Sequence, residues 1–246
     1  MQKSCIVIPC YNEEKRLPVG EIAAFLRESD SVSLYFVNDG SKDGTARVLD
    51  DIRMLGQDRV SVLELPENRG KAEAVRLGIL EALHRQSFHI VGYFDADLSA
   101  PLTEINLLLE YMDLGPPYEV VTGSRIRRLG ARIERRPCRH YAGRVFATCA
   151  SLILGLPVYD TQCGAKIFRA ELAEQIFCRP FSTSWLFDVE IFARAAAVLG
   201  PDGAIEKIAE APLRQWVGKT GSKLRTRHIL TAPLELARIY LEYRRG

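Results

Sequence analysis

The 246-residue chain has no long hydrophobic run, and its longest nearly uncharged apolar stretch covers residues 145–159. A helix needs ~20 apolar residues to cross a bilayer, so no spanning helix is expected. A secretory leader is missing as well. Met1-Gln-Lys-Ser-Cys5 runs straight into Ile6-Val7-Ile8, with neither an extended apolar segment nor a small-residue cleavage site. The expectation is a chain that begins in its first strand and works in the cytoplasm. Metal-ligand spacing is also absent. The six cysteines, at 5, 10, 138, 149, 163 and 178, form no C-x-x-C pair, and the four histidines are scattered. That excludes zinc and leaves buried free thiols of a reducing compartment as the reading. No segment interleaves aromatic and basic residues into a stacking platform, which argues against a nucleic-acid partner. Internal repeats and low-complexity segments are missing too.

What is present is enough apolar material, 47% of residues, to fill one α/β core. The net charge of +2 conceals an asymmetry. Residues 1–120 carry 12 Lys+Arg and 20 Asp+Glu, whereas residues 121–246 carry 21 and 11. A basic second half points to an anionic partner.

Short apolar runs at 5–9, 34–38, 60–65, 88–94 and 119–122 read as buried strands. Helical patterns separate them, at 19–28, from a turn with Asp43 or Ser41 as N-cap to 55, from 71 to about 84, and at 102–114. Such alternation predicts an α/β fold, a mainly parallel sheet with helices on both faces. Ligands of such sheets bind outside the carboxyl ends of the strands. The polar clusters at 9–13, 39–45, 95–99 and 123–125 all fall there. In the second half, eight arginines in 125–144 lead into a helix to about 154. A polar loop at 160–168, a helix at 186–199, a strand at 204–212, a basic loop at 218–223 and a final helix at 226–244 follow.

The central stretch is Val91-Gly-Tyr-Phe-Asp-Ala-Asp-Leu-Ser-Ala-Pro101. Positions i and i+2 of a strand share a side, so Asp95 and Asp97 are expected to converge. A hard divalent cation relieves their repulsion, and Mg²⁺ is typically held by one or two carboxylates plus substrate phosphates. A solvated strand-end turn is the alternative.

Ile8-Pro-Cys-Tyr-Asn-Glu-Glu14, Asn38-Asp-Gly-Ser-Lys-Asp-Gly-Thr45, Asn68-Arg-Gly-Lys71 and Asp95-Ala-Asp97 occur in the order seen in family 2 glycosyltransferases of the GT-A fold. Asp160-Thr-Gln-Cys-Gly-Ala-Lys-Ile-Phe168, Trp185-Leu-Phe-Asp-Val-Glu190 and Gly221-Ser-Lys-Leu224 resemble the polyprenyl-phosphate members. Among those they are nearer the dolichyl-phosphate β-glucosyltransferases than the mannose synthases. The resemblance implies a single GT-A domain over 1–246, with a donor half at 1–125 and an acceptor half at 126–246.

It further implies that Pro9, Tyr11, Glu13, Val37 and Asp39 cradle the base and ribose, with Lys71, Asp95 and Ala96 on the nucleotide. Asp97 holds Mg²⁺ or Mn²⁺, and Ser99 is a weaker metal contact where mannose synthases often carry Gln. The implied donor is a UDP-hexose, with GDP-mannose as the alternative. The implied acceptor is a polyprenyl phosphate at a membrane surface, with a non-lipid acceptor as the alternative.

Two anions must then meet at one anomeric carbon, against about 4 kcal/mol per unit pair at 4 Å and an effective dielectric of 20. Arg125, Arg139 and Lys223 are the candidate cations, with Lys166 behind them and Gln162 beside the acceptor phosphate. Gln162 and Cys163 are expected on a loop facing the donor sugar, Cys163 as a buried thiol. Asp188 is expected either as a catalytic carboxylate orienting sugar or basic groups, or as a helix N-terminal charge. The Arg-flanked helices near 135–155 and 226–244 are expected to lie in a membrane interface or to pack on the sheet.

Overall fold

A computed structural model describes residues 3–114, 118–134, 137–219 and 226–243, without the side chains of 137–142 and 226–230. Uninterrupted apolar runs become strands covered on both faces, because every other side chain points to the opposite side and both sides are apolar. Strands β1 (Ser4–Cys10), β2 (Val32–Asp39), β3 (Val60–Leu65), β4 (Ile90–Phe94) and β5 (Val120–Ser124) are mutually parallel. Two further strands, β7 (Ala165–Arg169) and β8 (Ile208–Pro212), complete a seven-stranded sheet of order β3-β2-β1-β4-β7-β5-β8. β5 and β8 pair in parallel. β7 is antiparallel to both β4 and β5.

Strand parity splits the core. Ile6, Ile8, Leu34, Phe36, Ile90 and Phe94 face one layer with α1 (Val19–Glu28), α2 (Thr45–Gly56) and α4 (Glu104–Asp113). Val7, Tyr35, Val37, Val91 and Tyr93 face the other, with α3 (Lys71–Arg85), α6 (Ala170–Phe177) and α7 (Phe187–Leu199). Each fully buried aliphatic or aromatic side chain in these layers contributes about 1.5–3 kcal/mol.

The sheet order runs outward from β1 through β2 to β3, then returns to β4 on the other side of β1. That reversal opens a crevice between the carboxyl ends of β1 and β4, where α/β sheets take ligands. Because β7 runs backwards, its amino end, preceded by Gln162-Cys163-Gly164, arrives at the same edge.

The expected elements up to residue 125 are all present within a few residues of the expected ends, but the second half needs correcting. The loop expected at 160–168 contains β7, a central strand. The strand expected at 204–212 is a helix, α8 (Pro201–Lys207), followed by β8. Neither α6 nor the two-stranded parallel ribbon of β6 (Arg132–Glu134) and β9 (Gln215–Val217) was expected. Two long helices complete the described chain. Part of α5 (Pro137–Leu154) and part of α9 (Thr226–Tyr243) bury Ala150, Ala232, Leu236 and Ile239 against Leu186, Val189 and Ala193. These helices therefore pack on α7 rather than directly on the sheet.

Candidate active site

The loop after β1 is built by reciprocal bonds with the loop after β2. Asn12 N–H donates to Ser41 Oγ at 3.0 Å, and Lys42 N–H returns a bond to Asn12 Oδ1 at 2.9 Å. Glu13 N–H donates to Thr45 Oγ1 at 2.8 Å. Asp43 accepts the Thr45 N–H at 3.1 Å, so it supports the start of α2 as expected from the sequence, although Gly44 occupies the cap position. These contacts place Pro9, Tyr11 and the buried Glu13 on the β1 side of the crevice.

Two of the expected nucleotide contacts, Val37 and Asp39, are buried. Val37 is fully buried, packed against the helix residue Gly78, whose added Cβ would come within 2.6 Å of Val37 Cγ2. Its side chain belongs to the core, because strand parity turns it toward α3. Asp39 shares that parity and is also buried. Its carboxylate accepts from Asn68 Nδ2 at 2.9 Å, Arg69 N–H at 2.7 Å and Gly70 N–H at 2.9 Å. Burial pushes this carboxyl above its ordinary range, while the Arg69 and Gly70 amides oppose the shift. Asp39 thereby shapes the loop that delivers Lys71.

Asp95 and Asp97 do not share a strand face, because β4 stops at Phe94 and residues 95–98 form a turn closed by Leu98 N–H on Asp95 O at 3.0 Å. The two carboxylates take different partners. Asp95 Oδ1 meets Lys71 Nζ at 2.5 Å, and the Asp95 carboxylate lies against Gly164, where a Cβ would fall 2.0 Å from Oδ2. Asp97 Oδ1 accepts the Ser99 N–H at 2.9 Å, and its Oδ2 faces Arg16 at 3.9 Å. Ser99 is buried, which weakens it further as a metal contact. Ala96 sits between the two carboxylates and is buried.

Among the described residues no three or more His, Cys, Asp or Glu gather as a protein-only metal centre. A single part-exposed carboxylate is instead the donor set of a hard cation shared with a diphosphate. Asp97 therefore fits such an ion.

Arg125 does not stand open. Its Nε and Nη2 form a two-pronged pair with Asp160, each at 2.6 Å, Nη2 also reaches Gln162 O at 3.0 Å, and the guanidinium lies over Trp216. Burial would lower the Arg125 pKa, but the Asp160 charge outweighs it and the group is raised. Gln162 touches Arg125 through its carbonyl. Cys163 is a fully buried free thiol, pushed up to about 12 by burial. Lys223 and the Arg139 side chain lie outside the described residues.

Lys166 corrects the expectation most clearly. It has no exposed surface, and its ammonium donates to Thr161 O at 3.1 Å, Cys163 O at 2.7 Å and Asp188 Oδ1 at 2.6 Å. It cannot meet a phosphate. Asp188 is buried in turn, and the same oxygen accepts from Tyr93 OH. Burial raises the Asp188 carboxyl, but the charges of Lys166 and Lys71 outweigh it and hold the group below its ordinary value.

Arg16, Tyr93, Asp160 and Lys166 are site residues whose roles sequence reasoning missed. The Glu13-x-x-Arg16 spacing was the one local signal, an ion pair one turn apart at 3.6 Å. Tyr93 reads as a core residue, and Lys166 finds its partner 22 positions away.

The profile of the family described as Glycosyl transferase family 2 matches residues 5–177. The chain is 33% identical to a dolichyl-phosphate beta-glucosyltransferase of Drosophila melanogaster over 89% of its own length and 68% of that protein. It is 28% identical to a polyprenol monophosphomannose synthase of Mycolicibacterium smegmatis, over 79% of this chain and 72% of that one. Its fold resembles the crystal structure of glucosyl-3-phosphoglycerate synthase from Mycobacterium tuberculosis in complex with Mn²⁺, UDP and glucosyl-3-phosphoglycerate. The TM-score is 0.66 at 18% identity, over 98% of this chain and 80% of that one.

Proposed function

The chain belongs to glycosyl transferase family 2 and is a glycosyltransferase, and from that premise we propose that it moves glucose from UDP-glucose to a polyprenyl phosphate with inversion. The observation that carries the acceptor assignment is the state of Asp188. A carboxylate tied to Lys166 and Tyr93 and held below its ordinary pKa is a weak proton acceptor. That suits an acceptor which is already an anion and needs no base. The relatives named dolichyl-phosphate beta-glucosyltransferase, at about 30% identity, support the same choice.

In the proposed step an acceptor phosphate oxygen attacks the anomeric carbon. A new C–O bond forms on one face as the bond to the nucleoside diphosphate breaks on the other. Residues 1–125 hold the donor. Pro9, Tyr11 and Glu13 line the base, and Lys71 and Asp95 lie beside the ribose and diphosphate. Asp97 would hold Mg²⁺ or Mn²⁺, which neutralises charge on the departing diphosphate. Residues 126–246, with Arg125 at their border, receive the acceptor. Arg125, whose Nε–Nη2 fork is held by Asp160, borders the acceptor phosphate, and Arg139 and Lys223 add charge.

The lipid tail places the acceptor side at a membrane surface. No helix among the described residues is long and apolar enough to cross a membrane. Val145 and Leu152 on α5, and Leu234 and Leu241 on α9, are exposed at a spacing of seven, which keeps each pair on one helix face. Such faces suit contact with lipid in the interface plane.

The test supplies labelled UDP- and GDP-hexoses, Mg²⁺ or Mn²⁺, and polyprenyl phosphate in detergent. Label from UDP-glucose is expected in the organic phase, lost with EDTA and reduced about 100-fold or more by Asp97→Ala. Label from GDP-mannose alone overturns the donor. Water-soluble product alone overturns the acceptor, and a retained anomeric configuration overturns the in-line step.

A further inference from the structure

Lys166 sits in β7, a central strand, with no contact to water. Burying an ammonium costs several kcal/mol before its partners offset it, and an apolar side chain of similar volume would fill the space without that cost. The charge therefore answers to what it holds. Its three protons meet three acceptors, and those acceptors belong to separate pieces of the site. Thr161 and Cys163 form the turn whose neighbour Asp160 fixes the Arg125 guanidinium. Asp188 lies in the first turn of α7 and is bonded also by Tyr93 from β4. Lys71, which faces both Asp95 and Asp188, lies on the donor side.

We propose that Lys166 is a positioning residue for transfer, locking the 160–163 turn and Asp188 into one mutual geometry so that donor sugar and acceptor anion meet preordered. The proposal rests on the transferase reading above. It assigns Lys166 no contact with either substrate; it acts through Asp188 and through the turn that carries Asp160.

Lys166→Met, Asp188→Asn and the double variant separate this role from plain stabilisation. Donor KM, kcat and its pH profile are measured from lipid-phase label and, in parallel, from release of nucleoside diphosphate. Lys166→Met is expected to lower kcat about 100-fold while donor KM changes by less than about threefold, as loss of orientation predicts. The charged and titratable groups facing Asp188 are Lys166 from β7, Lys71 from α3 and Tyr93 from β4. With Lys166 gone, burial is opposed only by Lys71 and the tyrosine bond, so the acid limb of kcat moves up. The double variant is expected to be no slower than the slower single variant, because the two residues act as one unit.

A folded Lys166→Met enzyme within about threefold of the parent kcat overturns the proposal. So do losses that multiply in the double variant with an unmoved pH profile. Lys166→Gln, which keeps a donor, is made alongside, and failure of both Lys166 variants to fold makes the residue a folding element and also sinks the idea. If the parent forms no lipid-linked product, the acceptor reading fails by itself, and the same comparison is read from diphosphate release to water.

Discussion

Gly164 shows how one missing atom shapes the site. A Cβ there would lie 2.0 Å from Asp95 Oδ2 and 2.3 Å from its Cγ, so the glycine is what lets Asp95 lie flat on β7's approach and keep its 2.5 Å pair with Lys71. Gly164→Ala is expected to swing Asp95 off Lys71, lower stability by about 1–3 kcal/mol and raise donor KM. Thermal melts and donor titrations measure the two effects, and an unchanged KM would mean the Asp95–Lys71 pair has no part in donor binding. The motif Asp95-Ala-Asp97 was legible from the sequence, but the division of labour between its carboxylates was not. One is held by Lys71 and Gly164, the other faces Arg16, and no local pattern encodes either partner.

Buried carboxylates do for elements what the glycine does for one side chain. Glu104, in the first turn of α4 and buried, accepts Arg214 N–H at 3.1 Å and Gln215 N–H at 2.8 Å. It thereby holds the start of β9, whose Trp216 lies under Arg125. Glu104→Ala strands both amides, and a loss of about 1–3 kcal/mol is expected in denaturant midpoint at constant m. A midpoint within error of the parent would show that water replaces the carboxylate. Sequence reasoning found α4 from its apolar face but had no means of finding a contact across 110 positions. It missed β7 for a related reason. A lysine inside a five-residue strand reads as loop, and its burial becomes tolerable only beside Asp188.

Across the whole molecule, the second half is held together by buried charge as well as apolar contact. Glu190 is fully buried and accepts from Ser182 N–H, Thr183 N–H and Oγ1, Arg194 and Tyr243 OH, joining α7, the 179–183 segment and the end of α9. Burial raises its pKa, but the Ser182, Thr183 and Arg194 contacts outweigh it and the carboxyl is lowered from 4.5. The folded state then binds fewer protons than the unfolded one. The stability this adds is present above pH 4.5 and is lost as pH falls through the lower folded value. Comparing Glu190→Gln with the parent is expected to show a stability gap at neutral pH that narrows below pH 4.5. Urea midpoints from pH 7 to 3 measure it, and a gap independent of pH would assign the effect to shape rather than charge.

The sequence by itself determined the parallel α/β layers of the first half, the polar clusters at strand ends and the aspartate pair. Each of these is local: periodicity sets which face is buried, and chain direction sets which end carries the loop. Tertiary structure alone decided that β7 enters the sheet backwards. It also decided that Asp39 is held by the 68–70 turn, that Arg125 is fixed by Asp160, and that Lys166 serves Asp188 instead of a phosphate. The reason is the same throughout. A charge or a polar group is defined by the partner that satisfies it, and here those partners lie 22 to 35 residues away.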